Sequence, residues 1–303
     1  MHDASPNDLQ LRTIALRNRL GSRPRQGPCN ENSLSVVIPD QLPLWEDRVR
    51  GLPNALARSA LFTIGNSSDP REQHKGTVIF ALQGIEMSYT GEELRQDDED
   101  VFLQLIHIAR LQPISHGVEV AAHHLLKELG WGTGKADYLR LKATIDRLKA
   151  NALKLRFNVQ AGQDKEKGYA GSLIRKFEWE GKERWRIWLE PEIVRLFSDT
   201  EFTKLDWAQR KKLKAMAKKL HSFYFTHREP FGLYVKTLHQ ICSSRIKVMA
   251  KFRYLLRRAL DELVRVGFLI SWEIDPGDVV RVSRAGKTSA TLPDSTGRLV
   301  TES

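Results

Sequence analysis

At 303 residues, 41% of them hydrophobic and 28% charged, the chain is long enough for two ordinary domains with real cores and has the balance of a folded globular protein. Forty-eight lysines and arginines against 37 acids leave a net charge of +11, so a phosphate-rich partner or an anionic surface is the first expectation. Two isolated cysteines, Cys29 and Cys242, support neither a disulfide framework nor a zinc finger and suit a reducing cytosol; no apolar run approaches the ~18 residues of a membrane span, and Met1 to Leu20 lacks a signal-peptide hydrophobic region.

Met1 to Asp40 is rich in Asn, Ser, Pro and Arg and keeps no hydrophobic period, which marks a mobile arm reaching to about residue 50. At its end stand Gln41, Leu42, Pro43, Leu44 and Trp45. A Gln followed by aliphatic and aromatic anchors on a flexible arm resembles the pentapeptide by which bacterial proteins dock on the DNA polymerase sliding clamp. There Gln41 would bond at the rim of an apolar pocket filled by Leu42, Leu44 and Trp45. The plain alternative is that the same side chains pack on the neighbouring domain.

Gly51 to Phe62 reads as a short helix, and Val78–Leu82 with Ile85–Tyr89 as a hairpin turning at Gln83 and Gly84. Glu92 to Asp100 gathers six acids around Arg95 and leads into a helix from Val101 to Arg110. Such a segment is expected to solvate the side away from a nucleic acid, or to repel wrong approaches of its backbone. Val118 to Leu129 reads as a helix closed by Gly130, Trp131 to Gly134 as a turn, and Lys135 to Leu153 as a second helix. That helix turns Tyr138, Leu141, Ile145, Leu148 and Ala152 inward and Lys135, Arg140, Lys142, Thr144 and Arg147 outward. Helix, glycine-containing turn and basic helix is the helix-turn-helix order, whose second helix enters the major groove. The strands Leu153–Val159, Ser172–Trp179 and Arg184–Leu189 add the sheet of a winged helix, with Ala161–Ala170 as its wing or an extension of it.

After a short helix at Glu192–Phe197 and a connector at Asp199–Lys204, the order recurs. Helices are expected at Trp207–Phe225, Leu233–Cys242 and Arg245–Val266, with Ser243 and Ser244 as turn and N-cap and Gly267 as the stop. A hairpin of Phe268–Ile274 and Val279–Val282 follows, around Pro276 and Gly277, and Ala285 to Ser303 is a polar tail. Between Lys204 and Arg265 lie 16 basic and four acidic residues, a local excess of +12 that exceeds that of the whole chain. The third helix has Met249, Phe252, Leu256, Leu260 and Leu263 on one face, Lys247, Lys251, Tyr254 and Arg258 on the other, and Arg253 and Arg257 on the flanks. Six cations crowd its first half and Asp261 and Glu262 its end, the reverse of what the helix dipole favours. Such a charge order points to a polyanion.

Catalytic groups are missing. Gly134 and Lys135 approach a phosphate loop, but Leu129 and Ala136 stand where glycine and Ser/Thr belong. His123 and His124 are adjacent, about 100° apart on a helix and poorly placed for one metal, and no His-x-His occurs. His227 to Pro230 reads as an ion-paired turn. Neither a cofactor nor an enzymatic reaction is expected.

Several stretches, in order from Gln41 to Ser283, resemble the TrfA family of plasmid replication initiators: the clamp-like pentapeptide, ARSALF at Ala57–Phe62, YTGEELRQDDEDV at Tyr89–Val101, ELGW at Glu128–Trp131, EPEIVRLF at Glu190–Phe197 and HREPF at His227–Phe231. Trp45 stands where that family usually has Phe, and Pro43 where it has Ser or Asp. The resemblance implies tandem winged helices that bind direct repeats (iterons) in a plasmid origin and help to open adjacent AT-rich DNA. The partners it implies are double-stranded and single-stranded origin DNA, the sliding clamp, the host initiator DnaA and the replicative helicase, with a monomer–dimer equilibrium, in the bacterial cytoplasm and without a membrane. The expected fold class is α+β: a disordered N-terminal arm (1–50), winged-helix domains at 51–204 and 205–283, and a tail at 284–303. Lys135, Arg140, Lys142 and Arg147 would meet one major groove, and Lys247, Lys251, Tyr254 and Arg258 a second roughly one turn (~34 Å) away. A transcriptional repressor of the same fold is the alternative; a nickase or recombinase would need the absent metal site.

Overall fold

The computed structural model describes residues 40–66, 68–82, 85–157, 167–199 and 202–284, so the arm before Asp40, the Gln83–Gly84 turn, most of the expected wing at Ala161–Ala170 and the tail lie outside the described residues. In chain order, β1 (Val49–Pro53), α1 (Asn54–Ala57), β2 (Phe62–Thr63), β3 (Gln73–Ile79), β4 (Ile85–Glu92) and β5 (Leu94–Arg95) lead into α2 (Gln96–Ala109). Next come β6 (Val118–Val120), α3 (Ala122–Leu129), α4 (Lys135–Lys149), β7 (Ala152–Phe157), β8 (Lys167–Gly171), β9 (Ile174–Glu180), β10 (Arg184–Leu189) and α5 (Glu192–Asp199). β11 (Phe202–Asp206) and α6 (Trp207–Lys211) join these to α7 (Ala215–Phe225), β12 (Leu233–Tyr234), α8 (Val235–Ile241), α9 (Met249–Arg265), β13 (Leu269–Ile274) and β14 (Val279–Arg284).

The fold is mixed α and β, and its two halves repeat one order. In each, a helix, a short strand, two helices and a hairpin follow one another: α2, β6, α3, α4, β9–β10, then α7, β12, α8, α9, β13–β14. Each hairpin recruits the short strand into a three-stranded sheet, ordered β6-β10-β9 in one half and β12-β14-β13 in the other. In the first half β7 and β8 interrupt this order and pair with β4 in a separate sheet, β3-β4-β7-β8. Two apolar cores result, one running from Leu42 to Trp207 and one from Leu213 to Val280.

Helical period decides what α9 buries. Phe252, Leu256, Leu260 and Leu263 are fully buried, each contributing about 1.5–3 kcal/mol by leaving water. Gly267, at φ 74°, ends it: Phe268 N–H bonds Leu263 C=O and Gly267 N–H bonds Val264 C=O, a left-handed stop in which a Cβ would be strained.

Several expected boundaries move where pairing across the chain overrides local propensity. Only Asn54–Ala57 of the helix expected at 51–62 is helical, because Val49–Pro53 pairs antiparallel with Phe202–Asp206, a strand that overlaps the connector expected at Asp199–Lys204. Val118–Val120 is drawn from its expected helix into a sheet with β10. α4 stops at Lys149, where the Asn151 amide caps the carbonyls of Arg147 and Leu148. The helix expected at 207–225 is broken between Lys211 and Ala215, and the third begins at Met249, with Val248 rather than Ser244 as its N-cap. Arg245 and Lys247 therefore precede the helix, which shortens the dipole-opposing run. The expected wing segment contributes β8, paired with β7 and not with the hairpin β9–β10.

The acidic stretch departs most from expectation. Glu93, Asp98, Glu99 and Asp100 are buried, and Asp97, Asp98 and Glu99 form the first turn of α2, where the dipole favours them. Asp98 receives Arg71 at 2.5 Å and Arg147 at 2.8 Å, Glu93 receives Arg95 at 2.8 Å and Arg245 at 2.6 Å, and Asp100 receives Arg210 at 2.7 Å and also Lys218. Since Arg210, Lys218 and Arg245 come from the second half of the chain, the acids join the halves instead of solvating a far side. Charges this far from water persist only when paired.

Candidate nucleic-acid interface

α4 and α9 hold the same place in the two repeats, each followed by the hairpin of its half. On α4, Leu141, Thr144, Ile145 and Leu148 face the core. Lys135 and Arg140 are exposed and Lys142 is half-buried. The Arg140 guanidinium lies 3.8 Å from the centre of the Trp131 ring and 3.3 Å from Asp97, and Lys142 Nζ sits 3.7 Å above the Trp179 ring of the hairpin. Both cations are thus presented on aromatic supports. Arg147 is placed differently: it donates to Asp98 through Nε (3.0 Å) and Nη2 (2.8 Å) and to Thr144 at 2.8 Å, with its side chain 13% exposed. It fastens α4 to α2 and stands apart from the exposed row.

On α9, Lys251, Tyr254, Arg257 and Arg258 are exposed, Lys247 stands in the preceding loop, and Arg258 rests 5.8 Å from the Tyr254 ring. Arg253 instead grips Asp278 in the hairpin turn at 2.7 and 2.6 Å, and that bond lowers the Asp278 pKa. Helix and hairpin are thereby tied in one orientation. Arg257, expected on a flank, is as exposed as Arg258, and Leu139 and Val248 stand exposed beside the cations. A rotation plot centred on the buried face of α4 would have found Leu139, whereas on α9 the same plot leaves Arg257 on the flank and puts Val248, the N-cap, on the side of Phe252.

Residues 41–50, expected as the end of a flexible arm, are anchored by buried Leu42, Trp45, Val49 and Arg50. Leu42 and Trp45 are buried, while Gln41 and Leu44 are exposed. The Trp45 ring stacks on Phe197 with centroids 5.7 Å apart, lies 5.6 Å from Phe202, and closes against Gly51, where an added Cβ would come within 2.8 Å of it. Arg110 Nε donates to the Trp45 carbonyl and Gln41 reaches the Arg110 carbonyl. Docking of this peptide on a clamp requires Leu42 and Trp45 to leave the core.

Trp45 Nε1–H donates to His107 Nδ1 at 3.1 Å, an acceptor that protonation would abolish. Burial, with Arg50 and Arg110 nearby, lowers the His107 pKa from 6.5 to about 3. The unfolded chain therefore takes up this proton first, and stability is expected to fall as pH drops below 6.5, by about 1.4 kcal/mol per pH unit from this ring. Burial also lowers His221 and His227, adding to the slope. Urea denaturation at pH 7, 6 and 5 measures it, and His107→Gln should remove one proton's share; an unchanged slope in that variant would refute the assignment.

Among the described residues no group of three or more His, Cys, Asp or Glu side chains is placed to hold a metal ion, and no helix is long and apolar enough to cross a membrane.

A family model described as TrfA protein matches residues 29–284. The plasmid replication initiator protein TrfA of Escherichia coli is 32% identical over 225 residues, which cover 72% of this chain and 58% of that protein. The chain thus spans under two thirds of that relative. Of solved structures, a selenomethionine derivative of domains 2 and 3 of RctB superposes with a TM-score of 0.54 at 12% identity, over 76% of this chain and 98% of that one. A second structure of RctB domains 2–3 gives 0.51 at 12% identity, over 77% and 97%. At that identity the likeness is one of fold. By the extent of the family match and the identity to the E. coli protein, this chain belongs to the TrfA family.

Proposed function

We propose that the chain is a plasmid replication initiator that binds iterons in its origin, each half acting as a winged helix whose third helix, α4 or α9, enters a major groove. The observation that carries this reading is the repeated order of helices and sheet strands, with an outward cationic helix at the same place in both halves. The name of the E. coli relative supplies the biological setting. On this reading the protein acts without catalysis in the bacterial cytoplasm: bound to its repeats, it promotes opening of adjacent DNA and brings in DnaA, the helicase and the sliding clamp.

Footprinting on the plasmid's own direct repeats against random DNA, at one salt concentration, tests the specific claim; equal affinity for both would sink it, because phosphate contacts alone carry no sequence information. Arg258→Glu is expected to weaken repeat binding at least tenfold and to flatten the salt dependence by roughly one phosphate contact, with melting unchanged since the side chain is exposed. Unfolding of this variant would mean that α9 faces another way. Repeat binding without replication from the origin would favour the repressor alternative.

A further inference from the structure

Seven residues separate Lys251 from Arg258 and again Arg258 from Arg265, and all three are exposed on α9. At 100° and 1.5 Å per residue they form a stripe about 21 Å long with a cation every ~10.5 Å, lying about 60°, 40° and 20° round the helix from Tyr254 on one side of it. Half-buried Glu262 stands further round on that same side. Its carboxylate accepts the Lys214 N–H at 3.0 Å, and the Gln209 amide donates to the Val266 carbonyl at 3.0 Å. These two bonds hold α6 and the start of α7 alongside the stripe. Two clefts open there, one lined by Lys214, Lys251 and Arg258, the other by Lys212, Lys214, Arg258 and Arg265. The stripe therefore faces a wall with cations of its own.

Charge pairing sets these side chains apart from their neighbours. Arg210, Lys218, Arg245 and Arg253 each meet a carboxylate. Among the described residues none does so for Lys212, Lys214, Lys251, Arg258 or Arg265. The two α9 acids in the clefts are engaged by neutral donors instead, Glu262 by the Lys214 N–H and Asp261 by the Trp272 ring N–H at 3.0 Å. The cleft beside Lys251 is lined also by exposed Asp69 and by Arg245, whose partners are Glu72 and Glu93. Local stability argues against Lys214 where it stands: it is the N-cap of α7, makes no side-chain cap bond, and no acid follows in the first turn, so its charge opposes the helix dipole. A polyanion along the stripe supplies the missing counter-charge.

A helix is about as wide as the major groove and runs parallel to the two phosphate strands that border it. Cations repeated along one side of the helix therefore meet one strand. We propose that Lys251, Arg258 and Arg265 on α9, with Lys212 and Lys214 across the clefts, form a rail for the phosphates of the strand that borders the groove on the α7 side. The proposal rests on the DNA-binding reading above and adds Lys212, Lys214 and Arg265 to its contacts.

The test uses the full chain and a duplex that it selects from a randomised library. Phosphates are replaced one at a time by methylphosphonate, which is neutral and keeps the pairing. A run of positions on one strand is expected to lose about threefold in affinity each, the worth of an exposed ion pair. In the triple variant Lys212→Gln, Lys214→Gln, Arg265→Gln, penalties within that run should vanish while those on the other strand stay. The slope of log affinity against log salt should flatten by roughly two to three, at ~0.9 per phosphate, for selected and random duplexes alike. Melting should hardly change, because the loss of a cation from the last turn of α9 is offset by the relief of one at the start of α7. An unchanged slope, or penalties lost on both strands, overturns the rail alone. So does a flatter slope with every penalty kept, which would be a distant effect of net charge. Selection of no preferred duplex overturns the DNA-recognition reading with it.

Discussion

Replacing Arg210 by alanine is expected to lower the stability of the chain by about 3–5 kcal/mol, the usual consequence of breaking a buried ion cluster from one side. The guanidinium is fully buried, and although burial opposes its charge, Glu99 and Asp100 more than restore it. Nε donates to Asp100 at 2.7 Å and Nη1 to Ser222 at 2.7 Å, Nη2 reaches Gln96 at 3.3 Å, and Glu99 Oε2 lies within 3.3 Å, close enough for charge pairing. Alanine would leave Glu99 and Asp100 facing each other's charge, with Lys218 as the cation still bonded to Asp100. Two signatures distinguish this from a simple packing loss. The carboxylates in the variant would bind protons more readily folded than unfolded, so its deficit should shrink as pH falls from 7 to 5. The changed contacts also lie between α2 of the first half and α7 of the second, so denaturation should lose cooperativity between the halves. Guanidinium titrations at both pH values decide the matter; a deficit below about 1 kcal/mol, or one that grows in acid, would refute this account of the cluster.

Trp45→Ala is expected to cost about 3–5 kcal/mol, in the range for removing a large buried aromatic side chain, because Phe197, Phe202 and His107 would line the void. Leu44→Ala, at a side chain 65% exposed, should stay within about 0.5 kcal/mol of wild type. Thermal melts of the two single variants separate them, and a large loss for Leu44→Ala would mean that the peptide packs otherwise. The contrast also determines how clamp docking is tested. A double replacement of Leu44 and Trp45 confounds docking with folding, whereas Leu44→Ala alone leaves the fold intact. Loss of plasmid replication by that variant with repeat binding unchanged would support docking; full replication would oppose it.

Helical period and turn residues were enough to find α4, α9, the hairpins after them and the repetition of their order, because the apolar faces of helices and strands recur at fixed local spacings. Period also separated Phe252, Leu256 and Leu263 from Lys251 and Arg258, since one turn of helix contains both statements. Strands β1 and β11 escaped detection, as their partners lie more than a hundred residues apart and neither segment alternates strongly. The same limit hid the destination of the acids. In the sequence Glu92 to Asp100 looks like a solvated segment, and nothing within a turn of it announces Arg147, Arg210, Lys218 or Arg245. Charge excess along the chain pointed to a polyanion, yet it did not separate cations turned outward from those spent within: Arg258 and Arg257 are exposed, Arg147 is held by Asp98, Arg253 by Asp278, and Arg210 is sealed between the halves. Local spacing determines which face of a helix a side chain occupies. Which distant group meets it there depends on packing between remote segments, and only the folded chain brings those segments together.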